Sequence, residues 1–389
     1  MKLSTIAKTM PVSGIRRMFA LAAGYDDVIN LCIGEPDFQT PAYIIDAGAY
    51  ALRHGYTKYV DNAGLPALRK AIAAKMAAEN GLKCSEKNVM VTNGAGQALM
   101  SSIMCALNPG DSLILADPYY PNYLGYCKLA GVNAIAVPTC EEERFHLTAA
   151  AIEKALTPST RAILLNSPAN PTGAVLSLTE LEEIAELARK RDLLIIADEP
   201  YEAIVYEGRR NYSIASLPGM FERTITVNSF SKTFAMTGWR VGYAVAEEVF
   251  IRAMAVMQES LTSSVNAASQ YAACAALAGD GREVLRMRDE YEKRAELLTE
   301  SLNRIKGFKF TKPEGAFYAF VNIKETGLTS AEVAQRLIEQ GRVITTPGSA
   351  FGPSGEGYIR ISFAANSDIL AEAMRRIEAV FGRKSCSRP

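Results

Sequence analysis

The chain has 389 residues, 49% of them hydrophobic, and its 42 basic and 42 acidic side chains cancel to a formal net charge of zero. That length supports two domains with ample cores, while the balanced charge excludes the basic footprint of a nucleic-acid binder or a polybasic membrane anchor. No apolar run reaches the length of a membrane span, and seven scattered cysteines, two histidines and a start at Met1–Lys8 without a signal-peptide core exclude a disulfide frame, a Cys/His metal site and a secreted protein in favour of a cytoplasmic one.

The first thirty residues are helical in pattern, with Ile15, Met18, Phe19 and Leu21 at helical spacing. A short strand from Val28 runs into a Gly34-Glu35-Pro36-Asp37 turn. Residues 44–54 and 65–79 read as helices around a polar stretch containing Tyr56 and Tyr59. Val89–Thr92 is a strand, followed by Asn93-Gly94-Ala95-Gly96-Gln97 and a helix over 98–107. A strand, a glycine-rich turn and a helix N-terminus make an anion site, because free N–H groups and the positive end of the dipole converge there. Ala95 and Gly96 are its residues.

Ser112–Ala116 is the next strand and leads to Tyr119, Tyr120 and Tyr123, of which Tyr119 and Tyr123 read as core. Arg161–Leu165 is a strand ending in Asn166-Ser167-Pro168-Ala169-Asn170-Pro171-Thr172-Gly173, and a helix follows over 178–190. Leu193–Ala197 is apolar throughout, as the middle strand of a parallel sheet is. It ends on Asp198, at the edge where open α/β sheets bind ligands. Arg223–Asn228 is another buried strand, and a run from Val241 to Ala246 leads out of the segment after it. Helices follow over 250–278 and 281–305. From Phe308 the alternation changes, with a helix over 329–340, a strand over 357–363 carrying Arg360, a helix over 369–381 and a disordered tail from Arg383.

Between the strands at 223–228 and 241–246 lies Ser229-Phe230-Ser231-Lys232, then Gly238-Trp239-Arg240-Val241-Gly242. An ammonium beside a buried sheet is costly. Such a lysine is more stable neutral or bonded through its amine, and a desolvated lysine is a Schiff-base nucleophile. Ser229, Ser231 and Arg240 carry the hydroxyls and the planar fork that hold a phosphate.

Ser-x-Ser-Lys followed by Gly-x-Arg-x-Gly resembles the lysine segment of class I/II aminotransferases, the fold type I enzymes that use pyridoxal 5'-phosphate. The resemblance extends over residues 13–382, with Ser167 displacing the first proline of the family's Asn-Pro-x-Asn-Pro-Thr-Gly run or shifting it by one. It implies an α/β fold: a large domain with a mostly parallel seven-stranded sheet plus a small α+β domain. The implied division is an N-terminal arm and part of the small domain over 1–45, a large cofactor domain over 46–282 and a small domain over 283–389.

The resemblance also implies roles. Lys232 bonds the cofactor and later moves the Cα proton. Asp198 pairs with the pyridinium nitrogen, and Tyr201 and Asn170 bond the ring oxygen. Tyr120 stacks on the ring. Ala95, Gly96, Ser229, Ser231 and Arg240 hold the phosphate, joined by Tyr59 (or Tyr56) from the partner of a homodimer. Gly34, Asn170 and Arg360 receive the substrate, Arg360 through its carboxylate. No metal, nucleic acid or membrane takes part.

The implied reaction is ping-pong transfer of an amino group between an amino acid and a 2-oxo acid. Aspartate-specific members of the similar subgroup carry a lysine where this chain has Gly96. Its absence, with Ile15 and aromatic residues near the site, points to an aromatic or other large side chain, with glutamate and 2-oxoglutarate as the second pair. The alternatives are an aspartate or N-acetyl-diaminopimelate aminotransferase, a lyase on the same fold, and a regulator with an aminotransferase-like domain, for whose DNA-binding segment the sequence leaves no room.

Overall fold

The computed structural model describes residues 2–11, 18 and 24–384. Strand β1 (Ile29–Asn30) is followed by the seven strands of the central sheet: β2 (Val89–Thr92), β3 (Ser112–Asp117), β4 (Asn133–Pro138), β5 (Thr160–Asn166), β6 (Leu194–Asp198), β7 (Thr224–Ser229) and β8 (Gly242–Val245). Their order is β2-β8-β7-β6-β5-β3-β4. All neighbours are parallel except β8, which is antiparallel to β2 and to β7.

β5 and β6 are apolar through their middles without alternation because both faces are covered, while β7 alternates Ile225 and Val227 with Thr224, Thr226 and Asn228, all buried. On one face Ala162, Leu164, Ile196, Ile225 and Val227 pack with Ala98, Leu99, Ile103, Tyr123 and Met254. On the other, Ile163, Leu165, Ile195 and Ala197 meet Ile152 and Leu181, Ile184 and Ala188 of the helix Leu178–Arg191. That helix starts where Ser177 and Glu180 form a reciprocal capping box, which satisfies two orphan donors at once.

The remaining strands are β9 (Tyr318–Asn322), β10 (Val343–Ile344), β11 (Thr346–Pro347) and β12 (Tyr358–Ser362). They form a three-stranded antiparallel sheet, β11-β12-β9, and a parallel pair, β1-β10. The helices Arg282–Arg304, Ser330–Gly341 and Ser367–Phe381 cover them around a core that includes Tyr291, Leu298, Phe317, Ile361 and Ile377. Among the described residues no helix is long and apolar enough to cross a membrane.

Several sequence expectations change. The helix expected over 250–278 is two, Glu248–Thr262 and Ala267–Ala278. Ser263 breaks it at φ 58°, and the Asn266 side chain caps the second piece. Ala95 opens a helix, Ala95–Ala106, rather than lying in the turn before it. The helices Asn122–Ala130 and Ala149–Ala155 and strand β4 lacked a legible signal. Arg383 is not in a disordered tail: it bridges Ile305, and Lys384 N–H donates to the Arg304 carbonyl at 2.9 Å. Residues 385–389 lie outside the described part, as do Ile15, Phe19 and Leu21 of the expected N-terminal helix. The described helix there is Thr5–Thr9.

Candidate active site

β3, β5, β6 and β7 all end at one edge of the sheet, so Asp117, Asn166, Asp198 and Ser229 emerge side by side. Above them lies a cavity of about 350 Å³. It is lined by Gly34, Ala95, Gly96, Tyr120, Asn170, Asp198, Tyr201, Ser229, Ser231, Lys232, Arg240 and Arg360. Every site residue named from the sequence is there except Tyr59 and its alternative Tyr56, while Ile15 lies outside the described residues.

Lys232 sits on a one-turn helix, Phe230–Thr233, whose N-cap is Ser229. Its Nζ donates to the Gly34 carbonyl at 2.5 Å. Burial pulls its pKa down to about 8; Glu35 opposes the shift, and the Arg240 and Arg360 guanidiniums add to it. The amine is thereby shifted toward its neutral, nucleophilic form.

Asp198 is 4% exposed. Its Oδ2 accepts from the Tyr123 hydroxyl at 2.6 Å, and its Oδ1 is buried without a partner. Burial raises its pKa to about 7 despite the Tyr123 bond. A buried, half-satisfied carboxyl calls for a cationic donor from the cavity. Tyr123 is thus more than the core residue its sequence setting indicated: its ring packs in the core and its hydroxyl orients Asp198.

The anion end is built by close backbone approach. Gly94 turns at φ 75° and leads into the helix at Ala95. A Cβ on Gly94 would stand 2.5 Å from Arg240 Nη2, and one on Gly242 would stand 2.6 Å from the Gly94 carbonyl carbon. Arg240 is itself left-handed, at φ 55°, and its Nη1 donates to the Thr237 carbonyl at 2.9 Å. The Ser229 hydroxyl accepts from Ser231 N–H at 3.0 Å and donates to the Val241 carbonyl at 3.3 Å, so it also caps its own turn. Ser229, Ser231, Arg240 and the N–H groups of Ala95 and Gly96 line the anion end together.

Arg360 lies on β12, the central strand of its sheet, and is 1% exposed. Nη2 donates to the Cys32 carbonyl at 2.6 Å and Nη1 to Asn170 Oδ1 at 2.9 Å, leaving Nε without a partner. Among the described residues it makes no ion pair. A buried guanidinium without a carboxylate is a receptor for one. The Tyr201 hydroxyl pairs with that of Tyr318 at 2.8 Å. Tyr318 and Tyr126 line the cavity as well; neither carries a signal in the sequence, because Tyr318 reaches the site only through the pairing of its strand with that of Arg360.

Tyr59 is 89% exposed and away from the cavity, and Tyr56 packs on Tyr271 with ring centroids 4.4 Å apart. The chain alone therefore does not bring either tyrosine to the site. The rest suits a phosphorylated pyridine aldehyde: an orphaned carboxyl oxygen for the ring nitrogen, a depressed lysine for the aldehyde, and a helix N-terminus with Arg240 for the phosphate.

The family model for aminotransferase class I and II matches residues 26–377. The chain is 44% identical over 387 residues to aromatic-amino-acid aminotransferase 2 of Thermococcus litoralis, covering 99% of each chain. It is 45% identical over 375 residues to an aspartate aminotransferase of Pyrococcus abyssi, covering 96% of each. It superposes on the crystal structure of the aromatic aminotransferase from Pyrococcus horikoshii OT3 with a TM-score of 0.90 at 44% identity, covering 94% of this chain and 98% of that one. The chain belongs to the class I and II aminotransferases and is a pyridoxal-phosphate-dependent transaminase.

Proposed function

We propose that this chain takes the amino group from an aromatic or other large amino acid, with glutamate and 2-oxoglutarate as the second pair. The observation that carries this reading is the wall at Gly96. It has no side chain to offer, and a Cβ there would stand 2.8 Å from the Tyr126 hydroxyl. Ile33, Leu99, Tyr120 and Tyr126 face the same cavity, whose cations are Lys232, Arg240 and Arg360. Each of these has another duty in the reading, so among the described residues lining the cavity no cation is left for a distal carboxylate. The names of the Thermococcus litoralis and Pyrococcus horikoshii proteins agree. The Pyrococcus abyssi relative, just as similar, supports aspartate as the second reading.

In this reading Arg360 holds the α-carboxylate through charge-assisted bonds, and Asn170 fixes the guanidinium through its Oδ1. The bound cofactor supplies an electron sink for the carbanion formed at Cα. Asp198, oriented by Tyr123, keeps a proton on the ring nitrogen. Opposite charges about 4 Å apart interact by about 4 kcal/mol at an effective dielectric of 20. Tyr201 would hold the ring oxygen with its hydroxyl, and Tyr120 would lie against the ring. Lys232 acts as the base that removes the Cα proton, its depressed pKa matching it to that task at neutral pH.

The homodimer, with Tyr59 completing the partner's phosphate site, accounts for a tyrosine left 89% exposed. The division into a large domain over 46–282 and a small domain over 283–389, with 1–45 as an N-terminal arm and part of the small domain, is supported by β1 pairing with β10 across the chain. A cytoplasmic location fits the six described cysteines, all free thiols.

The test is single-turnover spectroscopy of the holoenzyme with one amino acid at a time. Phenylalanine and tyrosine, with glutamate, are expected to bleach the band of the lysine-bound cofactor fastest. Aspartate reacting fastest would overturn the reading from Gly96, and ammonia release with the band restored would indicate a lyase.

A further inference from the structure

Tyr318 has no role in the reading above, yet it touches three of the groups that do. It is 1% exposed, at the start of β9. In the pairing of β9 with β12, Arg360 lies opposite Phe320 and Ser362 opposite Tyr318. Alternation puts Tyr318, Phe320 and Arg360 on one face, with Tyr318 and Arg360 diagonal neighbours. The guanidinium carbon of Arg360 lies over the Tyr318 ring, 4.4 Å from its centroid, and also over Phe351 at 4.8 Å. The Tyr318 hydroxyl pairs with that of Tyr201 at 2.8 Å. It also lies against Gly34, where any Cβ would collide with it, and the Gly34 carbonyl holds Lys232 Nζ.

A phenol has one proton to give. If Tyr201 gives its proton to an acceptor in the cavity, its oxygen can only accept from Tyr318. The proton of Tyr318 is then used as well, in a chain running from Tyr318 to Tyr201 to the cavity. A donor that itself accepts a hydrogen bond is polarised and donates more strongly. The ring face of Tyr318 meanwhile holds the Arg360 guanidinium from one side in a desolvated setting, where such contacts are strongest.

We propose that Tyr318 is a positioning residue, whose hydroxyl strengthens Tyr201 as a donor and whose ring aims Arg360 at the substrate carboxylate. This rests on the roles given above to Tyr201, Arg360 and Lys232. One side chain thereby ties the cofactor's electronic setting to the grip on the substrate, and Gly34 must be glycine to admit it.

Two variants of the holoenzyme separate the two parts. Tyr318→Phe keeps the ring and loses the hydroxyl. A weaker donor at the ring oxygen leaves the lysine-bound nitrogen more basic, so the visible band should titrate about half a pH unit higher, a roughly threefold change in the protonation equilibrium. The KM of the fastest amino acid should stay within about twofold. Tyr318→Leu also removes the ring, and that KM should rise about tenfold. An unmoved titration midpoint in Tyr318→Phe, or an unmoved KM in Tyr318→Leu, overturns the proposal and leaves Tyr318 as packing. A wild-type protein that shows no visible band with the cofactor sinks the reading of Lys232 and this proposal with it, a failure distinct from silent variants beside a normal wild type.

Discussion

Asp198 shows how one residue can be costly to the fold and useful to the site. Its carboxyl is buried with one oxygen unpaired, and its pKa rises to about 7. Between the ordinary carboxylate range and that value, the folded cofactor-free protein keeps a proton that the unfolded chain has released. Stability of the cofactor-free protein therefore falls as pH rises through the window, and the loss is complete above it. Asp198→Asn removes the titration. The cofactor-free variant is expected to gain thermal stability over wild type from about pH 4 to 8, reaching a few kcal/mol. The same variant should lose activity, since the ring nitrogen has lost its counter-ion. Melting curves across pH check the first part, and a flat difference between the two proteins would refute it. Lys232 obeys the same physics with opposite sign: burial favours its neutral form, which is the form that attacks.

At the scale of elements, the phosphate end depends on how closely β8 approaches the helix Ala95–Ala106. Gly242 begins β8, and a Cβ there would stand 2.6 Å from the Gly94 carbonyl carbon, 2.7 Å from Ala95 N and 2.9 Å from the Asn228 carbonyl oxygen. These are backbone atoms and cannot step aside as a flexible side chain could. Gly242→Ala is expected to cost about 1–3 kcal/mol of stability and to weaken cofactor binding by pushing the helix N-terminus away. Thermal melting together with a cofactor titration of the stripped protein would read both. Normal affinity in a destabilised variant would mean that the helix end does not carry the phosphate. The break at Ser263 and the central place of β12 belong to this scale too. Neither is visible in local periodicity, because each depends on which element packs alongside.

Across the whole molecule, His146 joins the two sets of strands. Its Nδ1 lies 2.7 Å from Glu180 Oε1, at the start of the helix Leu178–Arg191, and its Nε2 lies 2.8 Å from Glu314 Oε2, just before β9. Glu314 also accepts from Val175 N–H and pairs with Arg144 and Arg209. Burial alone would lower the pKa of His146, but the bonds and charges of the two carboxylates win and raise it. Both carboxyls are held below their ordinary range and stay charged near neutrality. With the folded pKa raised, the stabilisation is fully present below the ordinary histidine value and is lost as pH rises through the folded one. His146→Gln should therefore melt below wild type by about 1.5–3 kcal/mol at the acid end, with the gap closing in alkali. A gap that widens with pH would show that the pair is not ionic in the folded protein.

The sequence by itself determined the chemistry and most of the scaffold. The unbroken apolar runs of β5 and β6, with the alternating β7 beside them, announced a sheet buried on both faces. The polar residues at their ends, from Asn170 and Asp198 to Lys232, stood out because a buried sheet has no other use for them. Only the tertiary structure decided how these groups are held. Tyr123 on Asp198, Tyr318 on Tyr201 and Arg360, and His146 between two glutamates are contacts between residues 75, 117, 42, 34 and 168 positions apart. An aromatic ring filling a core and one aiming a hydroxyl look alike in a sequence, because burial sets the residue type in both while the partner comes from distant chain.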